Sequence, residues 1–64
     1  MKIVLNGETT EIRAETLSDL LAECEFPGRV ATAVNEEFVP APLRNGHRLK
    51  DGDRVEVLAP MQGG

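Results

Sequence analysis

The dipeptide Asn6-Gly7 restricts the fold of this chain more than any other feature, because it separates two runs that favour β-strands. The sequence reads KIVL before it and ETTEIRA after it. A type I′ turn needs positive φ at both central residues, and Asn-Gly adopts these angles readily. We therefore predict an antiparallel hairpin with strands near residues 2 to 5 and 8 to 13. Its core side chains are predicted to be Ile3, Leu5 and Ile12.

The next segment, TLSDLLAEC, is predicted to form an amphipathic helix. Its apolar side chains recur at helical spacing, at Leu17, Leu20, Leu21 and Cys24. Thr16 is expected to cap the helix, and Phe26-Pro27-Gly28 to end it. A helix of about two turns does not persist alone, so we expect it to lie on the sheet.

Two short strands are predicted in RVATAVN and EFV, joined by a turn at Asn35-Glu36. Prolines end the second strand because proline has no N–H to donate to a sheet. Residues 40 to 50 are predicted to form an irregular crossover. Its buried side chains are expected to be Leu43 and Leu49.

The last strand follows a turn at Asp51-Gly52 and is predicted to direct Val55 and Val57 inward. Leu58 then points outward. We predict an α+β fold of order ββαββ, with a mixed sheet and one helix packed across it. A chain of 64 residues has room for one domain, spanning residues 1 to 64, with residues 59 to 64 as a flexible projecting tail.

The charge balance argues against several classes of partner. Eleven acidic residues against seven Lys and Arg give a net charge of −4, the wrong sign for binding nucleic acid.

No apolar run approaches the length that spans a bilayer or forms a signal peptide. One cysteine suits a reducing compartment, so we expect a cytoplasmic protein, monomeric when free.

The sequence offers little for a conventional active site. Cys24 lies on the apolar stripe of the helix, whereas His47 lies in the polar loop RNGHRL. One Cys and one His cannot complete a zinc site, and no phosphate-binding loop motif occurs. Asp51 and Asp53 are interpreted as turn residues. We therefore expect no catalytic residue, bound metal or bound cofactor, and no enzyme activity of the chain by itself.

The ending LAPMQGG offers another kind of chemistry, at the α-carboxylate of Gly64. Gly63 and Gly64 lack a Cβ, so this backbone can enter a narrow channel in a partner enzyme. A partner that attached AMP to the carboxylate would make it an electrophile. Pro60 would keep the base of the tail extended. An accidental glycine pair on a plain interaction module is the alternative.

Several motifs carry a family resemblance: AVN, the following VP, and DGDRVEVLAPMQGG at the end. They resemble the ThiS family of sulfur-carrier proteins of thiamin biosynthesis, which are small ubiquitin-like β-grasp proteins. The resemblance covers the whole chain. The DGD turn and the final Gly-Gly also occur in the small subunit of molybdopterin synthase, whereas the MQGG ending is more similar to the thiamin branch.

The resemblance implies a mechanism centred on Gly64. A ThiF-like adenylyltransferase would adenylate it with ATP and Mg²⁺, and sulfur from cysteine, delivered through a desulfurase, would give a C-terminal thiocarboxylate. A ThiG-like thiazole synthase would take the sulfur. The partner-binding tail would comprise Pro60, Met61, Gln62 and Gly63.

A docking patch is predicted beside this tail, formed by Leu58 with Phe38 or Val39. Three alternatives to the thiamin carrier stay open. They are a sulfur carrier for molybdopterin, a ubiquitin-like modifier that forms isopeptide bonds with lysine, and a β-grasp interaction module.

Overall fold

The computed structural model describes residues 1–27 and 29–59, and these residues form a five-stranded sheet and one α-helix. The strands are β1 (Lys2–Leu5), β2 (Glu8–Glu11), β3 (Ala31–Val34), β4 (Glu37–Val39) and β5 (Arg54–Leu58). The helix is α1 (Leu17–Glu23), and a 3-10 helix (Ala41–Gly46) lies between β4 and β5.

The sheet has the order β2-β1-β5-β3-β4. β1 and β5 are parallel, and the other neighbouring pairs are antiparallel. This mixed sheet with a helix across one face confirms the predicted α+β architecture. The predicted order ββαββ is one strand short: the strand predicted in EFV is a separate member of the sheet, so three strands follow α1 and the chain order is ββαβββ.

Both hairpins turn through residues with positive φ. Asn6 and Gly7 have φ of 50° and 86°, and Asn35 and Glu36 have φ of 51° and 72°. These angles are those of type I′ turns, which match the twist of the flanking strands. The two predicted turns are confirmed, although β2 is shorter than predicted and ends at Glu11.

α1 is capped at both ends by hydrogen bonds. The Thr16 hydroxyl accepts the N–H of Asp19 at 3.1 Å, which confirms the predicted N-cap. At the other end, Glu25 has a φ of 60°, and the N–H of Phe26 donates to the carbonyl of Leu21 at 2.9 Å. This is the bonding of a Schellman motif, with glutamate where glycine is usual.

The core lies between α1 and one face of the sheet. Ile3 and Ile12 are buried as predicted, whereas Leu5 is half-buried. The remaining buried apolar residues are Ala14, Leu17, Leu20, Leu21, Val34, Val39, Leu49, Val55 and Val57. The predictions for Leu49 and for the inward valines of the last strand are therefore confirmed.

The crossover differs from its prediction at Leu43, which is 61% exposed, while the neighbouring Arg44 is buried. The guanidinium of Arg44 donates from Nε to the Thr32 hydroxyl at 3.0 Å and from Nη2 to the carbonyl of Val30. These bonds fix the 3-10 helix with Arg44 toward β3. Leu43 is consequently left facing solvent, and the prediction of its burial is wrong.

Candidate functional site

The sheet face opposite the helix carries two large exposed apolar side chains near the end of β5. Phe38 is 68% exposed and Leu58 is 65% exposed. The register pairs Ala31 with Leu58 and Ala33 with Phe38, so two alanines of β3 lie between them on the same face. We call Ala31, Ala33, Phe38 and Leu58 the apolar sheet face. The outward direction predicted for Leu58 is confirmed.

Val39 does not belong to this face. Its side chain is 5% exposed and lies in the core. Successive side chains of a strand point to opposite faces, so the outward position of Phe38 requires Val39 to point inward. The prediction that Val39 contributes to a docking patch is therefore wrong.

A surface groove adjoins the apolar sheet face where β5 ends and β3 begins. It is lined by Arg29, Val30, Ala31, Leu58 and Ala59. The lining is apolar apart from Arg29, which carries a positive charge. Sequence reasoning missed this groove because it depends on β3 lying beside β5, and no local pattern in the sequence predicts that pairing.

The segment predicted to be the partner-binding tail begins in the sequence directly after Ala59, a residue of the groove lining. The structure describes the chain up to Ala59, at the groove wall. The predicted tail residues Pro60, Met61, Gln62, Gly63 and Gly64 lie outside the described residues. The strand before them is central, since β5 pairs with β1 on one side and β3 on the other.

Cys24 and His47 are not arranged as a nucleophile and base. The N–H of Leu17 donates to the carbonyl of His47 at 2.9 Å, which places His47 beside the first turn of α1. Cys24 caps the opposite end of α1, and seven helical residues span about 10 Å. Cys24 is half-buried at the margin of the core rather than fully within it. Burial, with the nearby Glu23 carboxylate, raises the pKa of its thiol.

The aspartates of the last turn have structural partners. The buried Asp53 carboxylate accepts the N–H of Lys50 at 2.8 Å, and that of Asp51 accepts the N–H of Lys2 at 2.8 Å. The interpretation of both as turn residues is confirmed. Within residues 1–27 and 29–59, no three side chains of His, Cys, Asp or Glu are grouped as metal ligands would be. No helix in the described part of the chain is long and apolar enough to cross a membrane.

Comparisons with known proteins agree with the family resemblance. The model of the ThiS family matches residues 3–64. The sulfur carrier protein ThiS of Thermus thermophilus is 44% identical over 62 residues, covering 94% of this chain and 95% of that protein.

Two solved structures share the fold along the whole chain. The crystal structure of the thiamine biosynthesis protein ThiS from Geobacter metallireducens has a TM-score of 0.86 and 29% identity, covering 100% of both chains. A solution structure of a thiamine biosynthesis protein from the same organism has a TM-score of 0.82 and 26% identity, covering 100% of this chain and 88% of that one. The predicted β-grasp fold is thereby confirmed.

Proposed function

The chain belongs to the ThiS family, and from this premise we propose that it is a sulfur carrier for thiamin biosynthesis whose reactive group is the α-carboxylate of Gly64. One structural observation carries this proposal. The central strand β5, held by neighbours on both sides, leads directly into the sequence APMQGG. A fixed strand before a short glycine-ended segment suits a group that is presented to other enzymes.

The proposed chemistry converts the carboxylate in two steps. At neutral pH an α-carboxyl group, with a pKa of about 3.3 to 3.7, is ionised and is a poor electrophile. In a ThiF-like adenylyltransferase, a carboxylate oxygen of Gly64 would attack the α-phosphorus of ATP held with Mg²⁺, and pyrophosphate would leave. A sulfide or persulfide sulfur, derived from cysteine through a desulfurase, would then attack the carbonyl and AMP would leave.

The second step ends in a thiocarboxylate at Gly64. If the donor is a persulfide, a thiol reductant is needed to release the thiocarboxylate. If the donor is sulfide, the thiocarboxylate forms directly. A ThiG-like thiazole synthase would then take the sulfur for the thiazole ring, and hydrolysis of the acyl group would regenerate the carboxylate. All of these catalytic steps belong to the partners, so the carrier itself supplies the carboxylate and the surfaces that deliver it.

We assign docking of these partners to the apolar sheet face and the adjoining groove. Phe38 and Leu58 lie diagonally across β3 with two alanines between them, and an exposed apolar patch of this kind marks interaction sites. Ala59 of the groove lining is followed directly in the sequence by the proposed partner-binding tail. In this proposal a partner bound here receives Pro60, Met61, Gln62 and Gly63 in its active-site channel.

Intact-mass analysis tests the function. The purified chain is incubated with the adenylyltransferase, ATP, Mg²⁺ and a sulfur donor, with a reaction lacking ATP as the control. We expect a gain equal to the mass difference between sulfur and oxygen, located in the last peptide, and loss of that gain when thiazole synthase and its substrates are added. Adducts on lysine would instead indicate a protein modifier. An unchanged mass with an active adenylyltransferase would refute the proposal.

A further inference from the structure

The side chain of Asn6 makes hydrogen bonds that its turn does not require. The type I′ turn needs only its positive φ. Its carboxamide lies against the backbone of β5, where Oδ1 accepts the N–H of Val57 at 2.8 Å and Nδ2 donates to the carbonyl of Val57 at 3.2 Å. Asn6 therefore makes two hydrogen bonds to one residue near the end of the last strand.

These bonds continue the parallel ladder between β1 and β5. Within that ladder the N–H of Val4 donates to the carbonyl of Asp53, and the N–H of Asn6 donates to that of Val55, both at 2.9 Å. The next position on β5 is Val57, but the chain of β1 turns away at Gly7. A carboxamide has the donor and acceptor of a peptide group, so the Asn6 side chain takes the place of the missing strand residue.

Through Asn6, β5 is held on both sides almost to its end. On the β3 side the pairing reaches Leu58, which is opposite Ala31. On the β1 side it would stop at Val55 without the Asn6 side chain. The buried Val57 would then lose the partners of its N–H and carbonyl, and the end of the strand would be held by β3 alone.

We propose that Asn6 is a positioning residue for the reaction at Gly64, an inference that rests on the proposed function. Val57 stands seven residues before Gly64, a segment that spans at most about 25 Å when extended. Asn6 fixes the point and direction from which this segment leaves the sheet. Because small displacements of a reacting group cost large factors in rate, loss of this restraint lowers the rate of the chemical step.

Asn35 provides a matched control. It is also the first central residue of a type I′ turn, and its carboxamide also makes two hydrogen bonds at one end of β5. Its Oδ1 accepts the N–H of Arg54 at 3.0 Å, and its Nδ2 donates to the Asp53 carboxylate at 3.0 Å. Asn35 thus holds the start of β5, whereas Asn6 holds the end that leads to Gly64.

The test compares Asn6→Gly with Asn35→Gly. Glycine adopts positive φ readily, so both variants keep their turns and each loses two hydrogen bonds. Steady-state adenylation is measured as pyrophosphate release by the ATP-dependent adenylyltransferase, with thermal unfolding of both variants alongside. For Asn6→Gly we expect kcat to fall about tenfold with an unchanged KM, since the docking surface is intact. For Asn35→Gly we expect kcat within about twofold of wild type despite a comparable loss of stability.

Two further measurements separate positioning from general destabilisation. Asn6→Asp keeps the acceptor for the Val57 N–H but loses the donor, so its kcat should lie between wild type and Asn6→Gly. Amide hydrogen exchange should accelerate at Val57 in Asn6→Gly and at Arg54 in Asn35→Gly. If wild type is adenylated and both glycine variants share its kcat, or lose kcat equally, the role of Asn6 is overturned while the proposed function stands. If the wild-type chain is not adenylated, the proposed function itself fails.

Discussion

The surroundings of Cys24 indicate whether its thiol is a structural side chain or takes part in sulfur transfer. Its N–H donates to Leu20 at the end of α1, and burial followed by the Glu23 carboxylate raises the pKa of the thiol. A raised pKa leaves less thiolate at neutral pH, and thiolate is the reactive form. We expect Cys24→Ala to keep full sulfur transfer in the mass assay and to lose about 1 kcal/mol in urea unfolding, as for a buried methylene.

The pH dependence of alkylation checks the same conclusion. With its pKa raised by folding, the thiol ionises at higher pH in the native protein than in the urea-unfolded chain. Iodoacetamide should therefore label the native protein more slowly near pH 8, and the difference should narrow once the pH exceeds the native pKa. A folded Cys24→Ala variant that is adenylated but gains no sulfur would instead make Cys24 a persulfide relay.

Single residues also show where sequence patterns predict burial and where they do not. The alternation of Val55, Val57 and Leu58 extends over a whole strand, so their directions are correctly predicted. The EFV segment is too short to show a period, and its register with β3 decides that Val39 is buried. Arg44 is buried because Thr32 and Val30 accept its hydrogen bonds, and those partners are identified only by the folded chain.

At the scale of elements, the apolar sheet face combines outward residues of β3, β4 and β5, and the exposed Glu56 opposite Ala33 borders it. Leu58 offers a test of this face. Its side chain is 65% exposed, so Leu58→Asp should change the free energy of unfolding by less than about 1 kcal/mol. When the partner docks, the new carboxylate at position 58 would lose its hydration within an apolar contact, which weakens binding. We expect KM for adenylation to rise at least about tenfold, the change typical of a central interface residue, while kcat is kept.

Leu43→Asp is the control for this substitution. Leu43 is similarly exposed, at 61%, but it lies on the 3-10 helix, which contacts α1 on the opposite side of the sheet. Its KM should stay within about twofold of wild type, as for surface substitutions away from an interface. Equal KM values for the two aspartate variants would show that the partner docks elsewhere.

The whole molecule is organised by contacts that join distant parts of the sequence. Both hairpins could be predicted because each depends on a turn between adjacent strands. The central pairing of β1 with β5 joins Leu5 to Val55, and no turn chemistry links segments so far apart. The groove beside Ala59 arises in the same way, from the pairing of β3 with β5. The sequence alone predicts chemistry at the tail, whereas the groove and the apolar sheet face are recognised only in the assembled sheet.

Under the proposed function, the length of the tail is a property of the whole molecule, because docking at the apolar sheet face and reaction at Gly64 take place in one complex. If a partner holds the apolar sheet face, the carboxylate of Gly64 reaches its nucleotide only at one distance from β5. Deletion of Gly64 shortens that reach by up to about 3.5 Å, and one added glycine lengthens it equally. Because a displacement of even about 1 Å can cost a hundredfold in rate, both variants should fold as wild type yet scarcely gain the thiocarboxylate mass.

Competition distinguishes lost reach from lost docking. Each variant keeps the apolar sheet face, so the form lacking Gly64 should inhibit adenylation of the wild-type chain competitively. Its inhibition constant should lie within about twofold of the wild-type KM, because the changed residue lies outside the docking surface. Poor inhibition would mean that Gly64 itself contributes to binding. Thermal unfolding supplies the folding control, since the deleted residue lies beyond β5. If the shortened and lengthened chains gain sulfur as readily as wild type, the reaction does not depend on the distance from β5 to the carboxylate.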